Sequence, residues 1–130
     1  MRRALFLLVP LILSGCQSAG TGAFSIAVPV DQERKVAQYY SIHEDCSSMG
    51  SAVARIINQP LHGTVSIREG REYPNFPQSN PRSACNKETV PATLVYYRPG
   101  PGYVGTDSFD VDAILASGAD RPNHINVTVK

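Results

Sequence analysis

The chain has 130 residues, with 12 Lys and Arg against 11 Asp and Glu and a formal charge of +1. That length suits one domain, and the balanced, interspersed charge excludes the basic stripe of a nucleic-acid binder and the polybasic patch of an electrostatically held membrane protein. Ten prolines, ten glycines and no Trp fit a modest core crossed by many turns rather than by long helices.

The first stretch is a leader. Arg2 and Arg3 form a charged start, Ala4 to Leu13 is an apolar run too short to span a bilayer comfortably, and Leu13-Ser14-Gly15-Cys16 closes it. This order resembles a bacterial lipoprotein signal. The resemblance implies cleavage before Cys16, a diacylglyceryl group on its thiol, and acyl chains such as palmitate that hold the protein on a membrane without a transmembrane helix. Gln17, where Asp would retain such a protein at the inner membrane, points to the outer membrane instead. Residues 1–15 are therefore expected to be signal peptide, residues 16–23 an acylated N-terminus with a flexible tether, and residues 24–130 the folded domain. Loss of the leader removes Arg2 and Arg3 and leaves 10 basic against 11 acidic side chains.

Beyond the tether, apolar residues alternate. Phe24, Ile26, Val28 and Val30 predict a first strand, with Pro29 placing it near a sheet edge. Asp31 to Lys35 is a charged turn. Val36, Gln38, Tyr40 and Ile42 predict a second strand on one face; helix propensity over Gln32 to Tyr40 is outweighed by its flanks. Ser47 to Ser51 is a loop of small residues. Ala52 to Asn58 and Thr64 to Arg68 predict two further strands, joined by Gln59-Pro60-Leu61-His62-Gly63, where proline ends one and glycine turns into the other. Strands are also expected at Leu94 to Tyr97, Ser108 to Leu115 and Ile125 to Val129. About seven short strands with turn signals between them predict an all-β sandwich.

A Pro- and Gly-rich corner from Arg98 to Asp107 joins two of these strands. Pro99 and Pro101 lack an N–H and fix φ, while Gly100, Gly102 and Gly105 admit conformations closed to other residues. Tyr103 and Phe109 are the candidates to plug the end of the core, and Asp107 and Ser108 suit bonds from side chain to nearby backbone. Tyr96-Tyr97-Arg98-Pro99, followed by Pro101-Gly102-Tyr103-Val104-Gly105-Thr106-Asp107-Ser108-Phe109, resembles the turn of bacterial cadherin-like and immunoglobulin-like domains. Pro60-Leu61-His62-Gly63-Thr64-Val65 and the last alternating strand extend the resemblance over residues 52–130. It implies a single immunoglobulin-like sandwich with Pro99, Gly102, Tyr103, Gly105, Asp107 and Phe109 as a structural turn. Such domains serve as spacers, adhesins and binding modules, so the likeness implies no one activity.

With Cys16 assigned to lipid, Cys46 and Cys85 remain as one pair in a chain that matures outside the cytoplasm, and a disulfide between them is expected. The stretch from Glu69 to Pro91 is read as a long irregular segment containing Pro74, Pro77, Pro81 and Pro91. Within this loop, 70–91, Arg71, Tyr73, Phe76 and Arg82 are candidates for a partner-binding surface, against the plainer reading of a stapled loop that covers a sheet edge.

His43, His62 and His124 show no metal-ligand or acid–base spacing, and no nucleophile elbow or phosphate loop is present, so no enzyme, metal or cofactor is expected. Asp107, Asp110 and Asp112 are close in sequence, as calcium ligands often are. Alternation, however, puts Asp110 and Asp112 on a strand face and Asp107 in the turn. The expected function is a non-enzymatic, lipid-anchored cell-envelope protein acting as a binding or assembly module. Its candidate partners are another envelope protein, peptidoglycan or a glycan, and not nucleic acid. The alternative is an inhibitor of a lysozyme or protease acting through loop 70–91.

Overall fold

A computed structural model of the chain describes residues 22–130, so the leader and Cys16 lie outside the described residues. Seven strands make up the fold: β1 (Gly22–Val28), β2 (Arg34–Tyr39), β3 (Val53–Asn58), β4 (Gly63–Glu72), β5 (Val90–Pro99), β6 (Gly105–Ile114) and β7 (Asp120–Val129), with a short 3-10 helix at Pro81–Lys87. They form two sheets, ordered β1-β7-β6-β3 and β2-β5-β4. Every pair is antiparallel except β1 with β7, which runs parallel from Gly22↔Asn123 to Val28↔Val129.

The two sheets contribute to one core. Val28, Phe109, Val111, Ala113, Ile125, Val127 and Val129 face inward from one; Val36, Tyr39, Val95 and Tyr97 face them from the other. Alternation accounts for this on β6 and β7, where buried residues recur at every second position. Tyr97 and Phe109 lie parallel with ring centroids 6.0 Å apart, so the two largest buried aromatics meet across the interior. Tyr39 is buried too, and its hydroxyl accepts a bond of 2.9 Å from Asn123 Nδ2 on the opposite sheet.

Four local expectations are corrected. Tethering was assigned to residues 16–23, yet Gly22 and Ala23 already pair with Asn123 and His124, because a ladder needs backbone groups and not apolar side chains. The even alternation from Val36 to Ile42 fails because β2 carries a bulge. Lys35 pairs with Tyr96 and Ala37 with Val95, so Val36 is the extra residue and the phase shifts by one. Tyr39 then faces the core in place of Gln38 and Tyr40.

The third correction concerns the long segment. β4 continues to Glu72 and β5 begins at Val90, so the connection between them is 73–89 rather than 70–91, and the 3-10 helix occupies part of it. The extra β4 residues follow no apolar alternation, because that half of the strand is largely exposed. Gly70 fits there because a Cβ would come within 2.8 Å of Leu94 Cδ1. Fourth, β7 starts at Asp120 rather than Ile125, closing a tight β6–β7 hairpin in which Leu115 N–H bonds Ala119 O at 2.8 Å.

Candidate functional site

The strands place the connections at two opposite ends. One end holds the β1–β2, β3–β4 and β5–β6 turns; the other holds Gly22, the β2–β3 connection, the loop 73–89 and the β6–β7 hairpin.

At the first end the Asp107 carboxylate is a hub. Its Oδ1 accepts from Leu61 N–H at 3.1 Å and Ser108 N–H at 2.9 Å. Its Oδ2 accepts from His62 N–H at 3.0 Å and from the buried Tyr97 hydroxyl at 2.8 Å. Four donors thus satisfy a carboxylate that is 9% exposed. Burial first, then the bond to Asp107 and its charge, push the Tyr97 hydroxyl well above the ordinary tyrosine range.

Around this hub the turns interlock. A Cβ on Gly63 would stand 2.6 Å from the Tyr97 ring and from Arg98 O, so only glycine permits that approach. The His62 ring stacks on Tyr103 with centroids 4.3 Å apart, and His62 O accepts from Gly100 N–H at 2.8 Å. Gly102, at φ +69°, donates its N–H to Asp31 Oδ1 at 2.8 Å. Pro99 is buried opposite Gly63 and Phe109 lies in the core, while Tyr103 packs against that core from the rim. The segments 60–65 and 96–109 therefore meet at Asp107; of the six residues expected to form the turn, Gly102 and Tyr103 lie in it, while Pro99 ends β5 and Gly105, Asp107 and Phe109 belong to β6.

Cys46 and Cys85 are joined in a disulfide with Cα atoms 5.5 Å apart. It sits in a second, smaller core of Ile42, Cys85 and Val90, bordered by Tyr40 and Phe76. Three of the four residues proposed for partner binding hold the loop to the body. Arg71 bonds Thr89 Oγ1 at 3.1 Å and Thr89 O at 2.6 Å. Arg82 Nε donates to Ile42 O at 2.8 Å. Phe76 meets Tyr40 edge-on at 5.6 Å, and Asn86 brackets the Phe76 backbone with bonds of 2.9 and 2.8 Å. The Tyr73 side chain, 55% exposed, is displayed to solvent without such a tie, and Arg71 is exposed as well despite its bonds to Thr89. The segment covers one end of the β2-β5-β4 sheet.

The histidines do not converge: His43 lies in the turn before Cys46, His62 at the opposite end, and His124 on the outer face of β7 against Asp110. Asp110 and Asp112 point outward together, separately from Asp107. Asn58 first, and His124 second, hold the Asp110 carboxyl below its usual range; for Asp112 the leading cause is Arg55, whose Nη2 is 2.8 Å from Oδ2. Asp120 is displaced upward by its contact with Asp112. Among the described residues, no group of three or more His, Cys, Asp or Glu is arranged to hold a metal ion.

Sequence reasoning missed one feature. Between the stapled loop and the β6–β7 hairpin opens a cleft of about 290 Å³, where Phe76 and Arg82 lie with Tyr40, Leu115 and Arg121. A second depression of about 240 Å³ continues it past Tyr39 and shares Tyr40, Leu115 and Arg121. Small turn residues around Gly118 signal a hairpin, but no local pattern reveals that its flanks face a loop forty residues earlier. No family model, curated protein or solved structure matches the chain.

Proposed function

We propose that this protein is a lipid-anchored component of the bacterial cell envelope whose single domain is a non-enzymatic binding or assembly module. The observation that carries the reading is cysteine usage. Cys46 and Cys85 are bonded to each other, the state of a chain matured outside the cytoplasm, and the one remaining cysteine, Cys16, closes the Leu13-Ser14-Gly15-Cys16 end of an apolar leader.

An immunoglobulin-like sandwich of cadherin-like type is the finer fold assignment. It is supported by the strand orders β1-β7-β6-β3 and β2-β5-β4. It also draws on the meeting of the two turn segments at Asp107. The first strand joins the sheet of β7 rather than that of β2, unlike the constant-type arrangement. The hydrolase-inhibitor reading stands second, because Arg71, the Arg82 Nε and the Phe76 ring each make an internal contact that ties loop 70–91 to the body rather than projecting it.

The test is expression with the native leader in a bacterium, followed by detergent-phase partitioning, intact mass measurement and density separation of the two membranes. A detergent-phase protein carrying diacylglyceryl at Cys16, recovered with the outer membrane, is expected; Cys16→Ser should be unacylated and aqueous. An unmodified Cys16 in the wild-type chain would refute the anchor.

A further inference from the structure

The cleft at the stapled end combines three features that point to one kind of ligand. Its lining includes two arginines and no carboxylate. Arg82 uses Nε on Ile42 O, and Arg121 places Nη1 3.0 Å from Asp120 O. Among the described residues, neither guanidinium has a carboxylate partner; the ion pairs are made by Lys35, Arg55, Arg68, Arg98 and His124. Guanidinium groups carry donors in a planar fork suited to a carboxylate.

The second feature is Ser41. It lines the same cleft, is 7% exposed, and its hydroxyl has no hydrogen-bond partner. A buried hydroxyl left unpaired is destabilising, so such groups are rare and call for an explanation. A ligand oxygen is a sufficient one. Third, Met49, Phe76 and Leu115 supply apolar surface beside these polar groups, the mixture typical of small-ligand sites, where a few polar atoms orient an otherwise apolar contact.

We propose that this cleft binds the carboxylate of a small amphiphilic acid. The Nη groups of Arg82 and Nη2 of Arg121 hold the charge, Ser41 bonds an oxygen, and the apolar part lies against Phe76, Met49 and Leu115. The same chemistry is presented by the free C-terminus of a peptide ending in an apolar residue and by a free organic acid. The inference deepens the binding-module reading and rests on it, but it does not require acylation of Cys16.

The experiment is a nuclear magnetic resonance titration of the ¹⁵N-labelled mature chain, as isolated from bacteria, with N-acetyl-leucine and with hydrocinnamate, each against its neutral amide. Saturable shifts are expected at Ser41, Phe76 and the Arg82 side chain, with each acid binding about tenfold or more tightly than its amide. Preference for N-acetyl-leucine would assign the site to peptide termini, and preference for hydrocinnamate to free acids. Arg121→Gln should weaken acid binding about tenfold; Arg121 holds no other element in place, so the fold should persist. Ser41→Ala should weaken binding without lowering stability, a split that a purely structural serine would not show. Equal binding of acids and amides, unchanged affinity in Arg121→Gln, or no saturable shift up to about 10 mM acid would overturn the proposal. Each of these outcomes is independent of the mass measurement on Cys16, so the site and the anchor fail separately.

Discussion

Replacing Asp107 by alanine tests the reading of the corner as a structural knot. The substitution strands four donors: the N–H groups of Leu61, His62 and Ser108 and the Tyr97 hydroxyl. Hydrogen bonds to a charged acceptor contribute about 1.5–3 kcal/mol each when deeply buried. Leu61, His62 and Ser108 lie at an exposed rim where water can replace part of the loss, so the sum is discounted to about 4 kcal/mol. For a domain whose stability is on the order of 5–15 kcal/mol, that is a large fraction. Asp107→Asn should lose about half as much, since it keeps one acceptor but turns an amide toward existing donors. Tyr97→Phe should cost about 1.5 kcal/mol, and the Asp107→Asn/Tyr97→Phe double variant should lose less than the sum of the single losses, because the two share one bond. The assay is equilibrium urea unfolding with the disulfide intact. An Asp107→Ala variant within about 1 kcal/mol of wild type would falsify the reasoning.

Removing the disulfide through Cys46→Ala/Cys85→Ala should lower stability by about 4 kcal/mol on the chain-entropy model for a separation of 39 residues, read as a shift in urea midpoint. Gly63→Ala should destabilise by about 2–3 kcal/mol because its Cβ would meet backbone and a buried ring. Gly102→Ala, which meets open space but requires φ +69°, should lose only about 1 kcal/mol by the same assay. Asp120 titrates above its ordinary range in the fold, so its stabilising contribution is full below the unfolded carboxyl pKa and is lost as pH rises through the raised value. Asp120→Asn should therefore gain stability relative to wild type at pH 7, with the gain disappearing toward pH ~3.5; an equal gain at both pH values in thermal unfolding would contradict the coupling to Asp112. Asp110 behaves oppositely: its lowered pKa contributes stability above the unfolded value that is lost on acidification through the folded one.

Phe109, Val111, Ile125 and Val127 show why the sandwich was legible: the central strands bury one face, and burial writes a period of two into the sequence. Val36 shows where such reading stops, since a single bulged residue reverses the phase without any change of composition. The far half of β4 leaves no apolar trace because its partners are backbone groups. At the corner, Asp107 was recognisable as a turn residue, but its bonds to Leu61 and His62 span more than forty positions and follow from topology. The pair Cys46 and Cys85 was legible by elimination. For Arg71 and Arg82 the loop position was legible but the bonds were not, because sequence cannot tell a guanidinium that only faces solvent from one that also ties a loop to a carbonyl.

The parallel pairing of β1 with β7 has a mechanical consequence. Gly22 lies beside Asn123, at the end of the domain that carries the Cys46–Cys85 staple, and β1 runs from there toward the Asp107 end. If the chain is held at Cys16, tension enters along the axis of β1. All seven register positions of the β1–β7 ladder then resist in shear, rather than parting one after another as a peeled strand would. Held in that way, the domain would hang from its own first strand, with the Asp107 end directed away from the point of suspension, and its lifetime under pull would be set by the unfolding rate of that ladder.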